Sequence, residues 1–395
     1  MKDEGRTPGT RLDAALLGLL ALAAYWFAWN GRFMHFNYHL HLSMAFLEGR
    51  LHVPKPPPWL TEFAYSEGKA YVYFDPFPAV LLLPFAWLWG ERVNIALVSI
   101  VLGALNVVFM RIALGGLGVS RHTANLCALL FAFGTVHLFA AQYGNTWLLA
   151  HLCAVAGLTL AWIEATGEAN PWILGIFCAI AATSRSPSLL GAPVFLALAL
   201  RRRPSWRTAV DFAIPLAATA LLLGFYNHAR FGEWTNNGYL LANEALLRPP
   251  HGSFSLLYVP QNIEVYFLRF PGFQSTAPWL TLTDHGLGLV ATTPAVLLLL
   301  RPGWSERAHD ARFVGRLALA ACAATLFLYL CYFWDGWRQF GARYTLDFTP
   351  FLVVALALRA DDRPGMRLAW ALPALVALSI ALNAWGAGWL RAHDW

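Results

Sequence analysis
Long apolar runs, separated by short polar or basic segments, divide most of the chain. The first run, Leu12 to Trp29, follows a polar, basic stretch from Met1 to Arg11. No small-residue cleavage site follows it, which predicts a retained signal anchor. A span needs roughly 20 apolar residues. Further apolar runs, several of them short, predict spans at 93–113, 123–141, 147–163, 171–183, 188–200, 209–226, 286–300, 316–333, 344–358 and 368–390. The expectation is an all-α, polytopic membrane protein with about eleven transmembrane helices. The pair 171–183 and 188–200 reads as a tight hairpin around Ser184-Arg185-Ser186-Pro187.

Two segments are too long to be connectors, 31–92 and 227–285. Loops beyond ~15 residues are usually functional or disordered. Both are rich in Trp, Tyr and Phe, which argues against disorder. The predicted organisation is therefore one transmembrane domain, 1–395, carrying two ordered outer loops, with function sought in the loops.

Composition agrees with the pattern: 58% of residues are hydrophobic and 13% charged, about half the charged share of a soluble domain. The formal charge of +6 does not point to nucleic acid, because the basic residues sit in short runs between apolar spans. With the N-terminus inside, cytoplasmic segments hold sixteen basic residues, whereas the short outer connections and tail hold four, Arg185, Arg338, Arg343 and Arg391. That asymmetry sets the orientation. Arg outnumbers Lys heavily, with Lys only at Lys2, Lys55 and Lys69, which fits a GC-rich bacterial source and a cytoplasmic (inner) membrane. The five cysteines fall inside apolar runs, so a disulfide framework is not expected.

In the first loop, residues 36–48 predict a helix that places Asn37, His41 and Glu48 within ~40° of one another. This stripe faces either water or a substrate cavity. Pro54-Lys55-Pro56-Pro57-Pro58 predicts a stiff extended bridge. Residues 76–90, broken by Pro78 and Pro84, predict an outer-surface helix rather than a span. The loop carboxylates are Glu48, Glu62, Glu67 and Asp75. Asp75, in Phe74-Asp75-Pro76-Phe77, is either a partly desolvated base or a helix N-cap. His35, His39 and His41 lack a matching carboxylate or fourth ligand, so a metal site is not expected. In the last outer connection, Arg343 and Asp347 stand four apart at a helix start. They read either as a pair closing the helix or as functional intramembrane charges.

The order of these segments resembles the polyprenyl-phosphate-sugar-dependent glycosyltransferases of the GT-C fold, which include protein O-mannosyltransferases and lipid A aminoarabinose transferases. It is most similar to an uncharacterised bacterial branch. The carrying pieces are Ala45-Phe46-Leu47-Glu48-Gly49-Arg50-Leu51, Phe74-Asp75-Pro76-Phe77-Pro78-Ala79, Asn227 to Gly232, and Gln339-Phe340-Gly341-Ala342-Arg343-Tyr344. The resemblance implies a large first outer loop with a catalytic acid, a sugar donor linked through phosphate to a polyprenyl lipid, and basic residues that hold the phosphate. It implies no nucleotide sugar and no cofactor; the acceptor is a glycan, lipid or protein. Many members carry an Asp directly after the first span, but Gly31 to Tyr38 contains no carboxylate. The base then falls to Glu62 or Asp75, with Glu48 in reserve. Arg343, Arg338 and Arg230 are candidates for the phosphate, with Lys69, Asn37 and His41 as further binding residues. The competing class is a non-catalytic lipid-handling or transport protein of the same fold. Against it, no internal repeat is visible and the functional-looking charges cluster at one face.

Overall fold
The apolar runs fold as helices in a computed structural model that describes residues 8–246, 248–276, 279–300, 309–361 and 370–392. In chain order the helices are α1 (Pro8–Ala28), α2 (Tyr38–Leu47), α3 (Phe77–Trp89), α4 (Ile95–Gly116), α5 (Arg121–Phe133), α6 (His137–Tyr143), α7 (Thr146–Thr166), α8 (Pro171–Ser184), α9 (Ala192–Arg202), α10 (Trp206–Phe231), α11 (Tyr239–Leu246), α12 (Val259–Ile263), α13 (Leu289–Thr292), α14 (His309–Leu330), α15 (Thr349–Ala360) and α16 (Ala371–Ala392). Two short hairpins interrupt them, β1 (Ala64–Ser66) with β2 (Lys69–Tyr71), and β3 (Gly272–Phe273) with β4 (Leu280–Thr281).

Among the described residues, six helices, α1, α4, α7, α10, α14 and α16, are long and apolar enough to cross a membrane. The pair α5 and α6, bent by 49°, makes a seventh if taken as one span. The bend has a local cause: the Thr135 hydroxyl donates back to the Phe131 carbonyl and accepts from the His137 N–H. The other expected spans are shorter or broken. The runs 171–183 and 188–200 are α8 and α9, of 14 and 11 residues, joined by a 3₁₀ turn over Ser186–Gly191. The run 286–300 breaks at Thr293-Pro294, and 344–358 opens with the 3₁₀ turn Arg343–Asp347. Of the about eleven expected spans, six or seven are thus full-length helices among the described residues, and the others are short or broken.

Helix α7 is central, in contact with α4, α6, α8, α9 and α15. Its Trp162 is fully buried between Phe195 and Phe351. Polar ties define one end of the bundle. Asp13 binds Arg111 (2.9 Å) and Arg121 (2.6 Å), Asp361 caps Ser120 (2.9 Å), and Arg201 pairs with Asp310. Arg202 donates to the carbonyl of Gly167, so α8 and α9 form a hairpin that starts and ends at this face. Its apex, Arg185-Ser186, reaches toward the opposite face. Six of the sixteen basic residues assigned inside, Lys2, Arg6, Arg301, Arg307, Arg363 and Arg367, lie outside the described residues.

The opposite face carries both long loops. In the first, α2 and α3 pack together. Helix α3 runs unbroken through Pro84, with Pro78 in its first turn, where a missing N–H costs nothing. It leaves Trp87, Leu88 and Trp89 exposed. The expected polar stripe of α2 does not share one environment: Asn37 is buried, His41 half-buried and Glu48 exposed. The β1–β2 connection, Glu67-Gly68, has φ of 50° and 73° at its two central residues, as a type I′ turn requires. The second loop is tied to the end of α14 by Asn262, whose amide donates to the carbonyls of Tyr329, Leu330 and Tyr332. These orphan carbonyls of a helix end are thereby satisfied.

Candidate active site
Seven parts of the chain converge at the loop-bearing face: the segment before β1, the segment after β2, the start of α7, the apex between α8 and α9, α11, the end of α14, and the turn 343–347. Their position follows from local chemistry. The Tyr38 hydroxyl, on α2, accepts the backbone N–H of Thr61 and of Glu62 (3.1 Å each), which fixes the segment carrying Glu62. Arg230, near the end of α10, donates to the Val72 carbonyl (2.9 Å) and the Asn227 side chain (2.7 Å), and stacks over Tyr226 at 3.8 Å. It thereby braces the strand that leads to Tyr73, Phe74 and Asp75.

At the deeper level, Asp347 is a fully buried carboxylate with three partners. His151 Nδ1 lies 2.6 Å from Oδ1, Arg185 Nε lies 3.4 Å from Oδ2, and the Tyr329 hydroxyl donates to Oδ2. Arg185 also donates to the Tyr329 hydroxyl (3.3 Å) and sits 5.2 Å over the Tyr344 ring, which stacks on Tyr329 at 4.9 Å. A buried charge persists only when paired in this way. Arg343 and Asp347 therefore do not close the helix as a pair; each faces different partners.

At the shallower level, the Tyr73 hydroxyl donates to Glu62 (3.4 Å), and Trp147 lies beside the carboxylate. Burial raises the Glu62 pKa above the ordinary carboxylate range, an effect that the nearby Arg343 guanidinium partly offsets. Arg343 is close enough for this influence yet forms no ion pair with Glu62 among the described residues. It is buried, donates from one Nη to the Trp337 carbonyl (3.2 Å), lies 5.8 Å from the Trp147 ring centre, and leaves Nε without a partner. The arrangement offers one acid–base group and one cation with a spare donor, walled by Tyr73, Trp147 and Tyr344.

Asp75 accepts from both the N–H and the hydroxyl of Ser186 (2.8 Å each). It does not cap α3, whose N-cap position is Pro76. It ties the first loop to the apex of the α8–α9 hairpin instead. Burial raises its pKa, opposed by the Ser186 bonds.

The remaining candidates lie apart. Glu48 pairs with Arg50 at 3.2 Å, both about half exposed. Lys69 is exposed at the hairpin turn, and Arg338 is exposed beside the Trp337 ring. Asn37 stands at the N-terminus of α2 without a capping bond, and His41 lies near Glu91. His39 approaches the Asp75 carbonyl (3.2 Å) and His35 packs on Trp59. Among the described residues, no three His, Cys, Asp or Glu side chains form a group fit for a metal ion. The sequence reading missed Arg185, His151 and Tyr329 as site residues. The available signal was the presence of ionisable groups within apolar runs.

No family model matches the chain, and no curated protein does. Among solved structures, the apo crystal structure of the Archaeoglobus fulgidus oligosaccharyltransferase matches 95% of this chain and 55% of its own, with TM-score 0.52 and 15% identity. The archaeal oligosaccharyltransferase AglB from Archaeoglobus fulgidus, in complex with an inhibitory peptide and a dolichol-phosphate, matches 97% of this chain and 55% of its own, with TM-score 0.46 and 12% identity. The likeness is one of fold, and this chain spans about half the length of those proteins. The chain shares the GT-C fold of that oligosaccharyltransferase.

Proposed function
We propose that this chain is a membrane glycosyltransferase that moves a sugar from a polyprenyl-phosphate donor to an acceptor hydroxyl at the outer face of a bacterial cytoplasmic membrane. The observation that carries the reading is that Glu62 lies within electrostatic reach of Arg343, 281 positions apart by their numbers, beneath an aromatic wall in a GT-C fold. Glu62 takes the proton of the acceptor hydroxyl. The acceptor oxygen attacks the anomeric carbon with inversion while the bond from that carbon to the phosphate oxygen breaks. The electron pair leaves on the lipid phosphate, and Arg343 neutralises that charge. Tyr73 and Trp147 orient Glu62, and Asp75 holds the loop in place. The basic residues Arg111, Arg121, Arg201, Arg202 and Arg203 lie toward the end of the bundle away from the site, which supports a cytoplasmic N-terminus and an outer-face site.

The test compares donors. Membranes containing the chain are given a polyprenyl-phosphate-linked sugar or the matching nucleotide sugar, with lipid, glycan and peptide acceptors. Transfer from the lipid-linked donor is expected. Direct turnover of the nucleotide sugar by the purified protein would refute the donor assignment.

A further inference from the structure
Arg185 has no part in the transfer step described above, yet it is set beside Arg343. It stands at the apex of the α8–α9 hairpin, whose short arms place it below the loops. Its Nε and one Nη are held by Asp347 (3.4 Å) and the Tyr329 hydroxyl (3.3 Å). Asp347 is fixed in turn by His151 and Tyr329, so the guanidinium is held in place. The guanidinium carbons of Arg185 and Arg343 lie 5.2 and 5.4 Å from the centre of one ring, that of Tyr344. Tyr329 stacks on that ring with 12° between the planes, which closes one of its faces. Each arginine keeps one Nη without a partner among the described residues, and neither of these atoms is shut off from water as Arg343 Nε is. The Arg185 side chain is 15% exposed. Two cations thus share a ring, and among the described residues Asp347 is the one carboxylate that pairs with either of them. Like charges held together at a partly buried site are stabilised by an anion between them.

We infer that Arg185 and Arg343 form a paired clamp that distinguishes the leaving polyprenyl phosphate from the donor by its extra negative charge. The inference rests on the transfer reading and concerns the same site. In the donor the phosphate is a diester with one negative charge. When the bond from the anomeric carbon to the phosphate oxygen breaks, its electron pair stays on that oxygen. The phosphate becomes a monoester and gains a second charge. Arg343 meets the first charge, and Arg185 meets the charge that develops as the bond breaks. A contact stronger in the transition state than in the bound donor accelerates the step. Guanidinium is well shaped for phosphate oxygens, and the two free Nη groups offer donors from two sides. Asp347 and Tyr329 are positioning residues that act through Arg185. The same clamp holds the lipid product and slows its release.

Binding of three probes by the purified chain tests this without turnover: farnesyl phosphate, its methyl ester and farnesol. At pH 8 farnesyl phosphate is a dianion, since the second pKa of such a phosphate is about 6, whereas the methyl diester is a monoanion. The parent is expected to bind the monoester about tenfold or more tighter than the diester, the value of one charge-assisted hydrogen bond, and to bind both tighter than farnesol. Arg185→Gln should bring the monoester-to-diester ratio close to one while the diester still binds better than farnesol. That variant leaves Asp347 buried without its cation, so Arg185→Gln combined with Asp347→Asn removes both charges and guards against misfolding; it should give the same ratio. Tyr329→Phe should lower the ratio partway. A parent ratio near one, or a ratio that survives the double variant, overturns the clamp and leaves the donor reading standing. A parent that binds farnesol as well as either phosphate overturns the donor reading with it.

Discussion
Glu62 is poised between two opposed influences, burial that favours its neutral form and Arg343 that favours its charged form. Two consequences follow at this residue. As a base, it must be ionised, so turnover should rise with pH through a pKa above the ordinary Glu value of ~4.3. Glu62→Gln should lack that limb of the profile. For stability the sign is reversed. The native state binds the Glu62 proton more tightly than the unfolded chain, so this group's contribution falls as pH rises from the unfolded to the folded pKa. Relative to the parent, Glu62→Gln should therefore melt higher above that window and gain nothing below it. Melting curves across pH check this; a variant less stable than the parent at neutral pH contradicts the assigned direction. Asp347 predicts the contrary. Asp347→Asn removes the charge facing buried Arg185, which should cost about 3–5 kcal/mol, readable as a large fall in thermal midpoint. Glu62, Asp75 and Arg343 stood out in the sequence because charged groups among aromatics at an apolar boundary are conspicuous. The Asp347 cluster did not, because His151 and Arg185 reach it across 196 and 162 positions. Such long-range pairing leaves no trace in periodicity.

Between elements, the decisive joint is the tie from Asp75 to Ser186, which couples the first loop to the α8–α9 apex. Hydrophobic pattern alone identified α8 and α9 as a hairpin, since two apolar runs flanked a Ser-Arg-Ser-Pro break. It did not show that the 14- and 11-residue arms stop short of a full crossing, about 21 and 16 Å of helix. That shortness lets Arg185 meet Asp347 below the loop surface. Similarly, the β1–β2 hairpin was legible in Glu67-Gly68 between Tyr-rich flanks, but the surrounding helical pattern hid it. Asp75→Asn keeps the geometry but weakens both bonds to Ser186. An amide oxygen still accepts from Ser186, and the lost charge is one that burial disfavours, so stability should change by no more than about 1 kcal/mol and turnover should stay within a few fold. A loss of a hundredfold or more at full stability would make Asp75, not Glu62, the base.

At the scale of the molecule, the two faces are chemically unlike. One is laced with Arg-carboxylate ties, and the other carries two aromatic loops and the candidate site. This asymmetry predicts topology. In intact cells, Lys69→Cys at the exposed hairpin turn should react with a membrane-impermeant thiol reagent, whereas Arg203→Cys should react only after lysis; the reverse pattern inverts the orientation. The most direct test of the whole account is turnover of purified Glu62→Gln with a polyprenyl-phosphate-linked sugar, measured beside its melting temperature. The account predicts a loss of roughly 10²–10⁴-fold in a protein that melts no lower than the parent at neutral pH. Turnover within about threefold of the parent in a well-folded variant would contradict it.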